Sequence, residues 1–260
     1  NPSSATSNLT VIGDTTAPTI SGVTASWGSV LNSIEDNSNG TVTIATSGAE
    51  DGQTVTLVLN SKSYTGTVSS NTTSITVPAA DLQALSESST YTLSADVSDA
   101  AGNAATQHSS TTFSVDKTAP TISGVTASWG SVLNSIEDNS NGTVTIATSG
   151  AEDGQTVTLV LNSKSYTGTV SSNTTSITVP AADLQALSES STYTLSADVS
   201  DAAGNAATQH SSTTFSVDKT APTAVLSSVA DDVGSVVGNL SSGQTTDDTA
   251  VVITGTNEAG

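Results

Sequence analysis

The sequence has no cysteine, no arginine and only four lysines among its 260 residues. The absence of cysteine excludes disulfide cross-links and thiol chemistry. Set against 24 acidic residues, the four lysines leave a formal charge of −20. Phosphate binding needs a basic surface, so nucleic acid is excluded as a partner, and attraction to anionic membranes is disfavoured for the same reason. No apolar run is long enough to cross a bilayer, and no direct membrane insertion is expected within this segment. Known catalytic signatures are missing as well: there is no GxSxG elbow, no HExxH and no phosphate-binding glycine loop. The two histidines, His108 and His210, fall in Ser/Thr-rich stretches with no acidic neighbour in sequence. No enzymatic activity is expected.

What the chain does contain is repetition. Asp14, Asp116 and Asp218 each precede a Thr-Ala-Pro-Thr tetrapeptide by one residue, and both spacings are 102 residues (116 − 14 and 218 − 116). Residues 16–117 recur without change as residues 118–219. Residues 1–15 align with the last strand of a preceding repeat. Residues 220–260 begin a third repeat and then diverge. The parent chain is expected to be longer. The alternative is that the partial repeats are completed by strands from other chains.

Within a repeat the apolar residues alternate. Val55, Leu57 and Leu59, and then Tyr91, Leu93, Ala95 and Val97, occupy every second position, as half-buried strands require. Seven strands are predicted, near 18–27, 41–47, 54–60, 62–69, 74–78, 89–98 and 105–115, with one helical turn in residues 79–87. That pattern over about 100 residues predicts an all-β chain of tandem immunoglobulin-like seven-stranded sandwiches arranged end to end. Tyr91 stands where a tyrosine corner would, though ordinary core packing would also explain it. Trp27 and Trp129, one position repeated, read as core or junction residues, because one aromatic per domain makes a poor sugar platform.

The acidic residues gather in loops, and the topology sets where those loops meet. Strand direction alternates, so the A–B loop (Leu31–Gly40) lies at the trailing pole with the linker residue Asp116. The B–C and F–G loops lie at the leading pole. The trailing loop of one repeat, with Asn32, Glu35 and Asp36, therefore faces the next repeat's Ser149–Gly154 and Asp198–Asn205 loops. These bring Asp153, Asp198 and Asp201. Asp51 and Asp99 are the leading-pole counterparts in the first repeat. Asn134, Glu137 and Asp138 are the trailing-pole counterparts in the second. Carboxylates from four segments would repel unless a cation joined them. Ca²⁺ takes six to eight oxygen ligands, and the absence of cysteine with isolated histidines disfavours zinc. Solvated acidic loop tips are the alternative. Glu35–Gly40 is also a weak match to an EF-hand loop, and Asp231, Asp232, Asp247 and Asp248 could form a loop site of their own.

The motifs Val-Asp-Lys-Thr-Ala-Pro (Val115–Pro120, Val217–Pro222) and Ser-Asp-Ala-Ala-Gly-Asn (Ser98–Asn103, Ser200–Asn205) resemble the bacterial Ig-like repeats of giant type I-secreted adhesins. That family includes biofilm-associated proteins and the calcium-stiffened extender of an ice-binding adhesin. The resemblance implies Asp14, Asp116, Asp218, Asp99 and Asp201 as calcium ligands, with Asn103 and Asn205 matching the motif too. It also implies a place at the bacterial cell surface, outside the cell. The first linker departs from the pattern, with Gly13-Asp-Thr in place of Val-Asp-Lys, and the RTX nonapeptide is absent. The expectation is a calcium-rigidified extender that projects an adhesive tip, with calcium and the adjacent repeats as its partners and the tip's ligand outside this segment. The alternatives are a repeat that itself binds sugar or a neighbouring chain, and an assembly protein.

Overall fold

The computed structural model describes residues 13–235 and 237–256. Internal contacts divide the chain into two units. One comprises Asn1–Val125, Thr145–Ile177 and Leu195–Ser212, and the other Thr126–Val144, Thr178–Thr194 and Thr213–Gly260.

In the first repeat the alternating segments become strands β1 (Thr19–Ala25), β2 (Val30–Leu31), β3 (Gly40–Ser47), β4 (Thr54–Leu59), β5 (Lys62–Thr67), β6 (Thr72–Val77), β7 (Thr90–Val97) and β8 (His108–Val115). They form two sheets, β1-β3-β6 and β2-β8-β7-β4-β5. The residues of β4 and β6 that face inward are buried at every second position, as the alternation requires. Val42, Ile44, Leu57, Leu59, Ile75, Leu93 and Phe113 fill the space between the sheets. Seven strands match the predicted ones. The eighth, β2, is two residues inside the A–B connection and pairs parallel with the end of β8, Val30 opposite Ser114 and Leu31 opposite Val115. The β4–β5 hairpin turns on Asn60 (φ 47°) and Ser61 (φ 62°), a left-handed pair that matches strand twist.

Two features tie the connection between β6 and β7 to the trailing pole. The helical turn α1 (Ala79–Gln83) places Leu82 in the core, and Tyr91 Oη accepts a 2.9 Å hydrogen bond from Ser86 N. Tyr91 thus forms the corner and also packs beside Phe113, ring centroids 6.0 Å apart. Trp27 is buried and meets Phe113 edge-on at 5.3 Å. Its ring lies against Gly40, so closely that a Cβ there would collide with it.

The second repeat has the same elements: β9 (Thr121–Ala127), β10 (Val132–Leu133), β11 (Gly142–Ser149), β12 (Thr156–Leu161), β13 (Lys164–Thr169), β14 (Thr174–Val179), α2 (Ala181–Gln185), β15 (Thr192–Val199) and β16 (His210–Val217). Its strand orders, β14-β11-β9 and β10-β16-β15-β12-β13, repeat those of the first. The start of the third repeat gives β17 (Val225–Asp231), β18 (Gly238–Asn239) and β19 (Val252–Thr256) in the order β18-β17-β19. Val225, Leu226, Val252 and Ile253 of this sheet are exposed. Among the described residues no helix is long and apolar enough to cross a membrane.

Candidate functional site

The trailing pole of the first repeat is built around its linker. Asp116 N donates to Leu31 O at 3.0 Å, which fixes the chain as it leaves β8. Lys117 turns back into its own repeat. Its ammonium donates to the carbonyls of Leu82, Gln83 and Leu85 at 3.0–3.1 Å and pairs with the buried Asp36 at 3.1 Å. Lys219 does the same in the second repeat, donating to Leu184, Gln185 and Leu187 and pairing with Asp138 at 3.1 Å. The lysines therefore neutralise Asp36 and Asp138, two of the predicted ligands, and close the open carbonyls after each helical turn.

Glu87, which lies outside the predicted junction loops, sits beside the linker. Its carboxylate accepts from Lys117 N at 2.8 Å and from Thr118 Oγ1 at 3.2 Å. Alternating strand direction could have revealed it, since the connection between β6 and β7 shares its pole with the A–B loop.

The leading pole of the second repeat meets this surface. Within the loop Ser200–Asn205, the Asp201 carboxylate accepts from the backbone N–H of Asn205 at 2.8 Å and from its Nδ2 at 2.9 Å. Asn205 Nδ2 also donates to Asp116 O at 3.0 Å, and its Oδ1 accepts from Ser33 N at 2.8 Å. Asn32 Nδ2 donates to Ala203 O at 2.9 Å. Asn32 Oδ1 accepts the N–H groups of Ile34 and Glu35, both at 2.9 Å, and Glu35 returns a carboxylate oxygen to Asn32 N at 3.1 Å. Asn32, Glu35, Asp116, Asp201 and Asn205 are thus brought together.

Other predicted ligands are held elsewhere. Asp51 and Asp153 accept from Ser70 N and Ser172 N, and Asp198 accepts from Gln209 Nε2. Asp14 and Asp218 accept from the N–H of Thr16 and Thr220. In the second trailing loop, Asn134 accepts from Ile136 N and Glu137 N, and Glu137 accepts from Asn134 N. In the first leading loop, Asp99 accepts from Asn103 N and Nδ2, both at 2.8 Å. The Asn103 side chain holds the Asp99 carboxyl below its ordinary range.

Asp116 is the electrostatic outlier. Burial pushes its carboxyl above the ordinary value. The N–H of Thr118 works against that, while the charges of Asp201 and Glu87 add to it. The Lys117 ammonium, next along the chain, is directed to Asp36 and three carbonyls. The donors are all oxygen, which suits a hard cation. Among the described residues, no three acidic or histidine side chains stand close enough to hold a metal by themselves. A cation here would therefore draw on backbone carbonyl oxygens as well as Asp116 and Asp201.

Similar structures include a Ca²⁺-stabilized adhesin with which an Antarctic bacterium reaches out and binds ice. It is 32% identical, with 80% of this chain and 52% of that one covered, at a TM-score of 0.49. A bacterial ice-binding adhesin retained at the host cell surface is 31% identical over 78% of this chain and 65% of its own, with a TM-score of 0.45. The chain thus spans less than two thirds of either structure. A single immunoglobulin-like domain from the M. primoryensis ice-binding adhesin is 32% identical over 36% of this chain and 95% of its own, at a TM-score of 0.29. No curated protein matches. The family model described as bacterial Ig-like domain (group 3) matches residues 74–213 and 181–250, and the chain belongs to that family.

Proposed function

We propose that this chain is an extender segment of a bacterial cell-surface adhesin, a string of sandwiches whose joints are stiffened by calcium and which carries an adhesive tip away from the cell. The observation that carries the reading is the state of Asp116. A half-buried carboxylate at the meeting of two repeats feels the charges of two further carboxylates, and the ammonium of the adjacent Lys117 is paired with Asp36. Charge of one sign gathered at a joint is a cost unless a cation neutralises it. Asp116 and Asp201 would hold the ion, with carbonyl oxygens completing its shell. The ion would supply charge neutralisation and a cross-link between two repeats and their linker. Unchanged repetition over 102 residues supports a spacer, which needs length and not variety.

Calorimetric titration of the chain with Ca²⁺ tests this. Asp116→Ala should weaken binding at this joint about tenfold, the worth of one ligand at roughly 1.4 kcal/mol, with the far-UV circular dichroism unchanged. Unaltered affinity would leave Asp116 as a linker residue only.

A further inference from the structure

The trailing loop of the first repeat makes direct protein contacts with the next repeat. We propose that the segment Asn32–Glu35 is a recognition surface. Its partner is the Ser-Asp-Ala-Ala-Gly-Asn loop of another repeat, read through the final asparagine, and the recognition needs no metal. This inference stands apart from the calcium reading.

Three observations support it. First, the contact is an exchange of amide hydrogen bonds. Asn32 Nδ2 donates to Ala203 O at 2.9 Å, and Ser33 N donates to Asn205 Oδ1 at 2.8 Å. Second, every polar group of the Asn205 side chain is used. Nδ2 donates to Asp201 and to Asp116 O, while Oδ1 takes Ser33 N, and the residue is 0% exposed. An amide meets this need because it donates and accepts at once, whereas a carboxylate only accepts. Third, the loop is shaped for close approach. Gly204 has φ +92°, and a Cβ there would come within 3.3 Å of Asn32 Nδ2. For the same glycine in the first repeat, Gly102, a Cβ would meet nothing within 4 Å among the described residues.

The bond to the linker is intrinsic to a repeat, since Asn103 Nδ2 donates to Asp14 O at 3.1 Å as Asn205 does to Asp116 O. The bonds to Asn32 and Ser33 are the part that recognises a neighbour. They fix the rotation of one repeat on the next before any ion binds, while the ion relieves the repulsion around Asp116.

The test uses the whole chain. Because it has no cysteine, Ser63→Cys and Ser165→Cys, both exposed strand residues, accept a pair of spin labels without background. Distances are measured by pulsed electron resonance in excess chelator. Asn205→Asp removes both donors and adds a charge beside Asp201 and Asp116. It should lower the docked-to-splayed ratio at least about tenfold, one buried hydrogen bond or more, and broaden the distance distribution. Asn103→Asp makes the identical change in the first repeat's loop and should leave the Ser63–Ser165 distribution as in the parent. Added Ca²⁺ should narrow the Asn205→Asp distribution again, because the new carboxylate is an oxygen ligand. If Asn205→Asp in chelator matches the parent in chelator, the recognition surface is refuted. If Asn103→Asp broadens the distribution equally, the effect belongs to loop folding and the proposal also fails. A parent distribution indifferent to Ca²⁺ bears on the calcium reading alone.

Discussion

Asn103 and Asn205 occupy the same place in two loops of identical sequence, yet Asn103 is half-exposed and Asn205 is entirely covered. Asn32 and Asn134 form a second such pair. Asn32 and Ser33 are half-buried, whereas Asn134 and Ser135 are exposed. Ile34 beside them is 64% exposed against 82% for Ile136. Sequence is held constant by the repeat, so each difference measures what a neighbour adds. The intra-loop bonds, Asp99 to Asn103 and Asp201 to Asn205, are the same in both loops and belong to the sandwich. Among the described residues, the bonds from Asn32 and Ser33 arise where a second loop arrives.

Breaking what is shared should affect both repeats alike. Lys117→Met removes three hydrogen bonds and leaves the buried Asp36 without its cation. It should destabilise its repeat by about 3 kcal/mol. Lys219→Met should do the same to the second. In urea unfolding followed by circular dichroism, either change should split the transition, and the two variants should give matching profiles. A smaller shared effect is expected from Gly40→Ala and Gly142→Ala, whose new methyls would overpack Trp27 and Trp129 and cost roughly 2 kcal/mol each.

Breaking what differs should separate the repeats. Asn32→Ala and Asn134→Ala both lose the same local caps, to Ile34 and Glu35 or to Ile136 and Glu137. Only Asn32→Ala loses the bond to Ala203 O. It should therefore cost about 1 kcal/mol more, measured as the difference between the two unfolding free energies. Equal losses would mean that the contact between repeats adds nothing.

The smallest effect lies away from the joint. Burial, and then the hydrogen bond and charge of Asp81, raise the Tyr64 phenol from 10.0 to about 12. Its folded value lies above its unfolded one, so its contribution is whole below pH 10 and is lost as pH rises from about 10 to about 12. Asp81→Asn should bring the phenol part of the way back, with burial keeping the rest. Spectrophotometric titration would show the change. Tyr91 and Tyr193, which the N–H groups of Ser86 and Ser188 hold below the ordinary value, should not move.

Much of this architecture was legible because it rests on periodicity. A 102-residue offset and alternation such as Val55, Leu57, Leu59 depend on the chain alone. The two-residue strand Val30–Leu31 was not legible, since only its partner β8 defines it. The ion pairs of Asp36 and Asp138 were not legible, because nothing in the sequence shows that Lys117 and Lys219 fold back onto them. Asn32 and Asn205 read as oxygen donors to a metal. Composition cannot say which half of an amide is used, and in the structure each uses both halves on protein groups. Asn32 Oδ1 already takes two N–H donors, which fills its accepting capacity.

As proposed, carboxylates at the joint would make its stiffness depend on calcium while each sandwich keeps its own core. Small-angle scattering of the chain, with Ca²⁺ and then with chelator, tests it most directly. The account predicts a narrow distribution of end-to-end distances with Ca²⁺ and a broader one after chelation, while far-UV circular dichroism stays nearly constant. A distribution indifferent to chelation would contradict the calcium-stiffened joint, and a gross loss of β-signal would show that the ion serves folding instead.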